Sequence, residues 1–390
     1  MKKIISVLTA TRAEYGLLKP LITKLYNINE FDVRIVATGM HLSEEFGFTY
    51  KEIEQDGFSI DKKIEILHAS DTNVGISKTM GSALTYFSEY FENLKPDILI
   101  VLGDRYETLA VCCAAMNARI PIAHLYGGET TEGAIDECIR HAITKMSYLH
   151  FTSTSVYRKR VIQLGEAPER VYHVGSLGIE NIRNTRFLTI DELENSISFQ
   201  LNQPYGIVTF HPVTLEEDQA QEQVRALLNA MDKNRDMIFI ITKSNADTNG
   251  RMINKLLDEY AVSHKNVVIF TSLGMLRYLS ALKYCSMVIG NSSSGIIEAP
   301  SFGVPTINIG DRQKGRIQCN SIINCEPEEE AIDQSIKLAL DEEFYTKARN
   351  VTNPYEANNT SDNIVSVLYD YLIYNKINLK KQFYNIDFSL

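Results

Sequence analysis

The chain places chemically capable residues just after apolar runs. Asp104 follows a glycine in LGDRYE, after ILIVL. Glu129 leaves the double-glycine turn of YGGETTEG, after PIAHL. Asp136 opens a helical run and Arg140 stands four residues later on the same face, where the two can pair. Further on, His211 follows YGIVTF and precedes Pro212, which holds it extended or in a turn. Carboxylates and a histidine in such positions suit proton transfer on a bound polar ligand. Each also has a plainer reading: Asp104 as the cap of a helix starting at Tyr106, His211 as a packing residue. His124 and His141 read as structural.

Two stretches suit an anion. In MVIGNSSSG the serine turn after an apolar run points N–H groups and hydroxyls at one spot, at the start of a helix that would carry Ile296 and Ile297. The same stretch also reads as an ordinary serine cap. Arg12 in TATRAEYG stands where the first helix begins and suits a diphosphate; the alternative is a surface ion pair with Glu14. Several common chemistries lack their motifs. No GxGxxG follows the first strand, no GxxxxGK[ST] occurs, and no GxSxG marks a nucleophile. The absence of HExxH, CxxC and EF-hand patterns leaves no sign of a dedicated metal site. What remains is a site for a phosphorylated polar ligand, worked by carboxylates and His211. A sugar nucleotide fits, whether for a glycosyltransferase, an epimerase or a hydrolase.

Short apolar runs position these residues. They end at Leu8, span Val33 to Ala37, Ile98 to Leu102 and Ile120 to Leu125, and begin at Leu149 and Val171. Helical patterns lie between, at Lys19 to Tyr26, Ile76 to Phe91, Tyr106 to Asn117, Asp136 to Met146 and Ser155 to Leu164. Ile135, Ile139, Ala142 and Met146 form an apolar stripe that puts Asp136 and Arg140 at its edge, off the core. The strands are too uniformly apolar to face water, so the sheet is parallel and covered on both faces. A polar stretch from Asn181 to Pro204 connects to a second α/β rhythm: YGIVTF, MIFIIT, VVIFT, MVIG and PTINI. The expected domains are residues 1–180, then 181–362, then a segment 363–390 that packs back on the first. Two Rossmann-like domains would face each other across a cleft, with ligands beyond the carboxyl ends of their strands.

The 390 residues include 44% hydrophobic and 23% charged side chains, enough for sizeable cores. A net charge of -10 argues against a nucleic-acid surface. No apolar run is long enough for a bilayer, and the N-terminal run reads as a strand, not a signal peptide. Six cysteines without metal spacing or a secretory signal are not read as a disulfide framework. The expectation is a cytoplasmic protein that binds neither membrane nor nucleic acid.

TRAEYG, TGMHLS, LGDRYE, HLYGGETTEG, DECIRHAITKMS, HVGSLG, FHPVT, TKSNADTNG and GNSSSGIIEAPSFGVPTINIGDRQKGR resemble, in order and spacing, the hydrolysing UDP-N-acetylglucosamine 2-epimerases. The likeness covers roughly residues 1 to 370. It points to the sialic-acid-pathway branch, or to the branch that uses a 2,4-diacetamido sugar. It implies the two-domain glycosyltransferase-B architecture, no metal or other cofactor, and a homodimer or homotetramer. The implied catalytic residues are Asp104, Glu129, Asp136 and His211. The implied substrate-binding residues are Arg12, Arg140, Tyr278 beside uracil, Ser292 and Ser293 at the diphosphate, Glu298 at the ribose and Arg312 on the phosphate side. Tyr278 and Glu298 also admit plainer readings, as a packing residue in MLRYLSAL and as a helix-surface charge. One position departs from the family pattern: where many members have HxEGG, this chain has Tyr126, so Glu129 or Asp136 is to be considered in place of that glutamate.

Overall fold

The computed structural model describes residues 2–68, 72–213, 219–244 and 249–387. Residues 245–248 of TKSNADTNG and Thr214 of FHPVT lie outside these. The chain divides into two units, residues 1–129 with 136–181 and 355–390, and residues 130–135 with 182–354.

The first unit is built on seven parallel strands: β1 (Lys3–Thr9), β2 (Phe31–Thr38), β3 (Ile60–Ile64), β4 (Ile98–Leu102), β5 (Ile122–Leu125), β6 (Leu149–Thr152) and β7 (Val171–His173). Their order is β3-β2-β1-β4-β5-β6-β7. The period-2 alternation of a strand explains why these runs are apolar throughout. Ile98, Ile100 and Leu102 enter one core together with Ile5 and Val7. Leu99 and Val101 enter the core on the other face. Each fully buried aliphatic side chain contributes roughly 1.5–3 kcal/mol.

The second unit repeats the plan with β8 (Tyr205–Thr209), β9 (Ile238–Thr242), β10 (Val267–Phe270), β11 (Met287–Gly290), β12 (Thr306–Ile309) and β13 (Ile322–Cys325). The order is β10-β9-β8-β11-β12-β13, again parallel. Phe239 and Ile241 face one core, Ile238 and Ile240 the other.

Two strands escape the sequence pattern, and both lie on sheet edges. In β3 the three central residues, Asp61, Lys62 and Lys63, are exposed. Charges there blunt the edge against pairing with another chain. In β13, Ile323 is buried and Asn324 exposed.

The first helix, Arg12–Tyr26, starts at Arg12 as read and runs unbroken through Pro20 into the Lys19–Tyr26 pattern. Proline has no N–H to give the carbonyl of Gly16. The side-chain amide of Asn181 donates to that carbonyl instead, at 2.8 Å. The helix Thr360–Ile373 brings Ile364, Leu368 and Leu372 into the first core. Glu180 accepts from the Ser361 N–H and hydroxyl at its start, and Lys24 bridges Glu180 and Asp362. Beyond it, Lys381 reaches the buried Glu166 and donates to the carbonyls of Lys145 and Ser147. Among the described residues no helix is long and apolar enough to cross a membrane.

Candidate functional site

In each sheet the strand order reverses next to the first strand, between β1 and β4 and between β8 and β11. Connections leave in opposite directions there and open a crevice beyond the strand ends. Arg12 follows β1 and Asp104 follows β4; His211 follows β8 and Asn291 follows β11.

Arg12 is the first residue of its helix, and Thr11 and Glu14 form a capping box. Glu14 turns back to accept from the N–H groups of Ala10 at 2.7 Å and Thr11 at 3.1 Å. Its carboxylate thus serves the backbone, which displaces the reading of it as a surface partner for Arg12. Glu14 is only 8% exposed, and its Oε1 has no hydrogen-bond partner among the described residues. Burial, reinforced by the charge of Glu107, raises its pKa from the usual 4.5 to about 7.

The folded state therefore holds a proton that the unfolded chain has released between about pH 4.5 and 7. Stability falls as pH rises through that window, by about 3 kcal/mol in all. Glu14→Gln keeps an acceptor for the two N–H groups and cannot ionise. The variant is expected to be more stable than the unmodified chain at pH 8, with the gap closing towards pH 5. Urea titrations at the two pH values check this; an equal gap at both would show that ionisation of Glu14 is not the cause.

Asp104 does not cap the following helix. The cap position belongs to Arg105, without a side-chain bond, and Asp104 turns to the guanidinium of Arg140. Arg140 also donates to Glu137 at 2.7 Å and to the carbonyl of Glu129 at 2.9 Å. It is 1% exposed, not at the edge of its helix. The expected apolar stripe is correspondingly shorter: Ile135 precedes the helix Asp136–Met146 and is 54% exposed, while Ile139 and Ile143 are buried. A planar fork of five donors explains why arginine can serve three acceptors from β4, β5 and its own helix. Glu129 is 2% exposed and accepts from the Ser153 hydroxyl at 2.6 Å. Asp136, partly exposed, starts the helix that carries Arg140. Asp104, Glu129 and Arg140 thus meet in one cluster, which Glu137 and Ser153 join.

The turn before Glu129 is tight. Gly128 has φ +79°, and a Cβ there would strike the carbonyl of Tyr157. Tyr126, between His124 and Gly128, also adopts a left-handed backbone, φ 69°. Its hydroxyl accepts from the Leu177 N–H at 2.9 Å and lies 3.1 Å from the Ser176 hydroxyl. Tyr126 therefore anchors the start of the helix Leu177–Asn184. His124 is a satisfied interior residue: Nε2–H donates to the carbonyl of Gly103 at 2.8 Å, and burial lowers its pKa to about 3.

In the second unit, Asn291 organises the crevice. Gly290, at φ +128°, lets β11 end against Thr209, whose carbonyl would meet any Cβ there. The amide of Asn291 then accepts from the N–H of His211 at 2.7 Å and donates to its carbonyl at 2.8 Å. Arg312 and Gln313 both donate to the carbonyl of Asn291, at 3.0 and 2.8 Å. Ser292 caps the short helix Ser293–Ile297 through the N–H of Ser294. The Tyr278 hydroxyl donates to Ser294 Oγ at 2.7 Å. Burial raises the pKa of Glu298, while Ser294 and Arg316 pull it down. Tyr278 thus bonds to the serine turn, and Glu298 is only partly exposed. Asn291, Ser294, Gln313 and Arg316 were in view within the GNSSSG…DRQKGR stretch, but nothing in their spacing distinguished them.

Comparison with known proteins follows from this geometry. A protein from Campylobacter jejuni named GDP/UDP-N,N'-diacetylbacillosamine 2-epimerase (hydrolyzing) is 46% identical over 345 residues, 88% of this chain and 89% of that one. The polysialic acid biosynthesis protein P7 of Escherichia coli is 42% identical over 99% of this chain and 98% of its own. The crystal structure of UDP-GlcNAc 2-epimerase from Neisseria meningitidis bound to UDP-GlcNAc has the same fold, with a TM-score of 0.78 and 20% identity over 94% of this chain and 100% of that one. Two parallel-sheet α/β domains carrying these clusters, and a match of residues 23–369 to the family model, lead to one conclusion: the chain belongs to the UDP-N-acetylglucosamine 2-epimerase family.

Proposed function

We propose that the protein is a cytoplasmic hydrolysing 2-epimerase that converts UDP-N-acetylglucosamine and water to N-acetylmannosamine and UDP, for sialic acid synthesis. The observation that supports it most is the gathering of Asp104 and Glu129 around the buried Arg140 at the ends of adjacent strands. The C2 proton of an N-acetylhexosamine is not acidic in the ground state. Stretching the anomeric C–O bond builds positive charge at C1 and acidifies C2–H. A carboxylate takes that proton as the C1–O bond breaks, giving 2-acetamidoglucal and UDP. Water then adds its oxygen to C1, and a proton returns to C2 from the opposite face. Two acid–base groups are needed, and Asp104 with Glu129 or Asp136 supply them. Arg12, Arg312, Ser292, Ser293 and the N–H groups of the turn stabilise the departing diphosphate. Glu298 accepts from the ribose hydroxyls, Tyr278 lies beside uracil, and His211 steadies or protonates the leaving group.

The name of the Campylobacter relative favours a second reading, the same reaction on a UDP- or GDP-linked 2,4-diacetamido sugar. Tyr126 at the glutamate position is compatible with it. Incubation with each nucleotide sugar in deuterated water, followed by NMR, separates the two. The expected product is free N-acetylmannosamine carrying deuterium at C2, or its 4-acetamido relative. A glycosyltransferase would leave C2–H untouched and need an acceptor, and a binding module would release nothing. No nucleoside diphosphate from either sugar would sink the proposal.

A further inference from the structure

We propose that Gln313 is a positioning residue that keeps hold of the Asn291 carbonyl when Arg312 turns to a diphosphate, so that ligand binding does not disturb the grip on His211. The inference rests on the reading of Arg312 as a phosphate-side group. β11 and β12 pair in register, Gly290 against Asn308. Asn291 thus stands one residue beyond the first of these strands, and Arg312 and Gln313 lie in the turn that follows the second. Arg312 Nη1 donates to the Asn291 carbonyl at 3.0 Å, and Gln313 Nε2 donates to the same oxygen at 2.8 Å.

A carbonyl oxygen has two lone pairs, and two donors meet this one. They are not equivalent. Gln313 is 1% exposed, whereas Arg312 is only partly buried. The Asn291 carbonyl can only accept, so the end of Gln313 that meets it is the amide nitrogen. The other end, Oε1, has no hydrogen-bond partner among the described residues. The side chain of Gln313 therefore serves this carbonyl.

An arginine bonded to a protein carbonyl faces a conflict. Its fork meets a phosphate best through two parallel N–H bonds, and a fork that also holds a carbonyl cannot turn freely to make them. Leaving the carbonyl without a donor is costly, because Asn291 is fully buried. The cost reaches further. The side chain of the same residue holds His211 at both N–H and carbonyl, so a displaced Asn291 would carry His211 with it. Gln313 removes the conflict: Asn291 keeps one partner throughout, and Arg312 can turn to the ligand.

The test is a double-mutant cycle with Gln313→Met and Arg312→Met, read by calorimetry with UDP and by melting of the ligand-free protein. In Gln313→Met, Arg312 becomes the last side-chain donor to the carbonyl. UDP must then pull it away or bind without its full fork, so UDP affinity should fall about 10-fold. In the Arg312→Met background the same change should alter UDP affinity by less than about 2-fold, because no arginine is left to be held back. Melting should show the opposite pattern. Each single variant leaves the carbonyl one of these donors and the double variant leaves neither, so its melting temperature should fall by more than the two single falls together. A merely structural role for Gln313 would lower the melting temperature without any Arg312-dependent loss of UDP affinity. Unchanged UDP affinity in Gln313→Met overturns the inference. An equal loss in both backgrounds also overturns it, and would make Gln313 a direct contact of the ligand. If Arg312→Met itself leaves UDP affinity unchanged, the phosphate-side reading of Arg312 is what fails, and the melting pattern alone then decides whether the two donors share the carbonyl.

Discussion

Replacing His211 with asparagine is expected to slow UDP release by about 10²-fold or more, the usual scale for a positioned proton-transfer group. The melting temperature should stay within a few degrees of the unmodified chain. The structure gives the reason for this split. Asn291 holds His211 through its main-chain N–H and carbonyl, and both bonds survive a change of side chain. An asparagine amide can also bond to Ser244, whose hydroxyl meets the His211 ring at Nδ1. The binding groups at Ser292, Ser293 and Glu298 belong to another segment and should retain UDP. Melting and UDP release measured on the same preparation decide the matter. A large drop in melting temperature with a modest loss of rate would make His211 a packing residue.

Replacing Arg140 with methionine is expected to destabilise the first unit by about 2–4 kcal/mol, the cost of stripping a buried arginine from two carboxylates that are each 25% exposed. Methionine fills much of the volume, so the loss is electrostatic. Asp104 and Glu137 would lose the guanidinium between them, and the Glu129 carbonyl would lose a donor. Lysine should not rescue the protein, since a single ammonium cannot reproduce the fork that meets acceptors from three elements. Calorimetry should show the transition of the first unit shifted down by roughly 10 °C, at about 2–4 °C per kcal/mol for a unit of this size. Unchanged melting would mean that water reaches the cluster and screens it.

Both sheets were legible because a parallel strand buried on two faces must be apolar at every position, and runs such as ILIVL admit little else. IDKKI in β3 was not, because an edge strand is half solvated and is marked by its partner, not by its composition. In the Arg12–Tyr26 helix the start was read at Arg12, but its continuity into the pattern from Lys19 was hidden for a different reason. Pro20 argues locally against a helix, and the amide that compensates for it, Asn181, is distant in sequence. The same distinction divides the site. Asp104, Glu129 and His211 could be nominated from their places after strands. The burial of Arg140 could not, because helical spacing pointed to Asp136 and the decisive acceptor, Asp104, comes from another strand. Asn254, whose amide holds the main chain of Ser244, gave no signal, and Ser244 lay unremarked within TKSNADTNG: serine and asparagine are ordinary in loops and helices, and only the pairing of β8 with β9 sets Ser244 beside His211.

The return of the helix Thr360–Ile373 to the first core has a consequence for how the molecule is made. A chain emerging from the ribosome carries all seven strands of the first sheet by residue 173. The side chains of Ile364, Leu368 and Leu372, which belong to that core, are nearly two hundred residues from appearing. The second sheet, whose strands all lie between Tyr205 and Cys325, is fully synthesised before then. The first domain to be started is thus the last to be finished, and during that interval the apolar side of its first helix waits uncovered, a window in which exposed apolar surface favours aggregation.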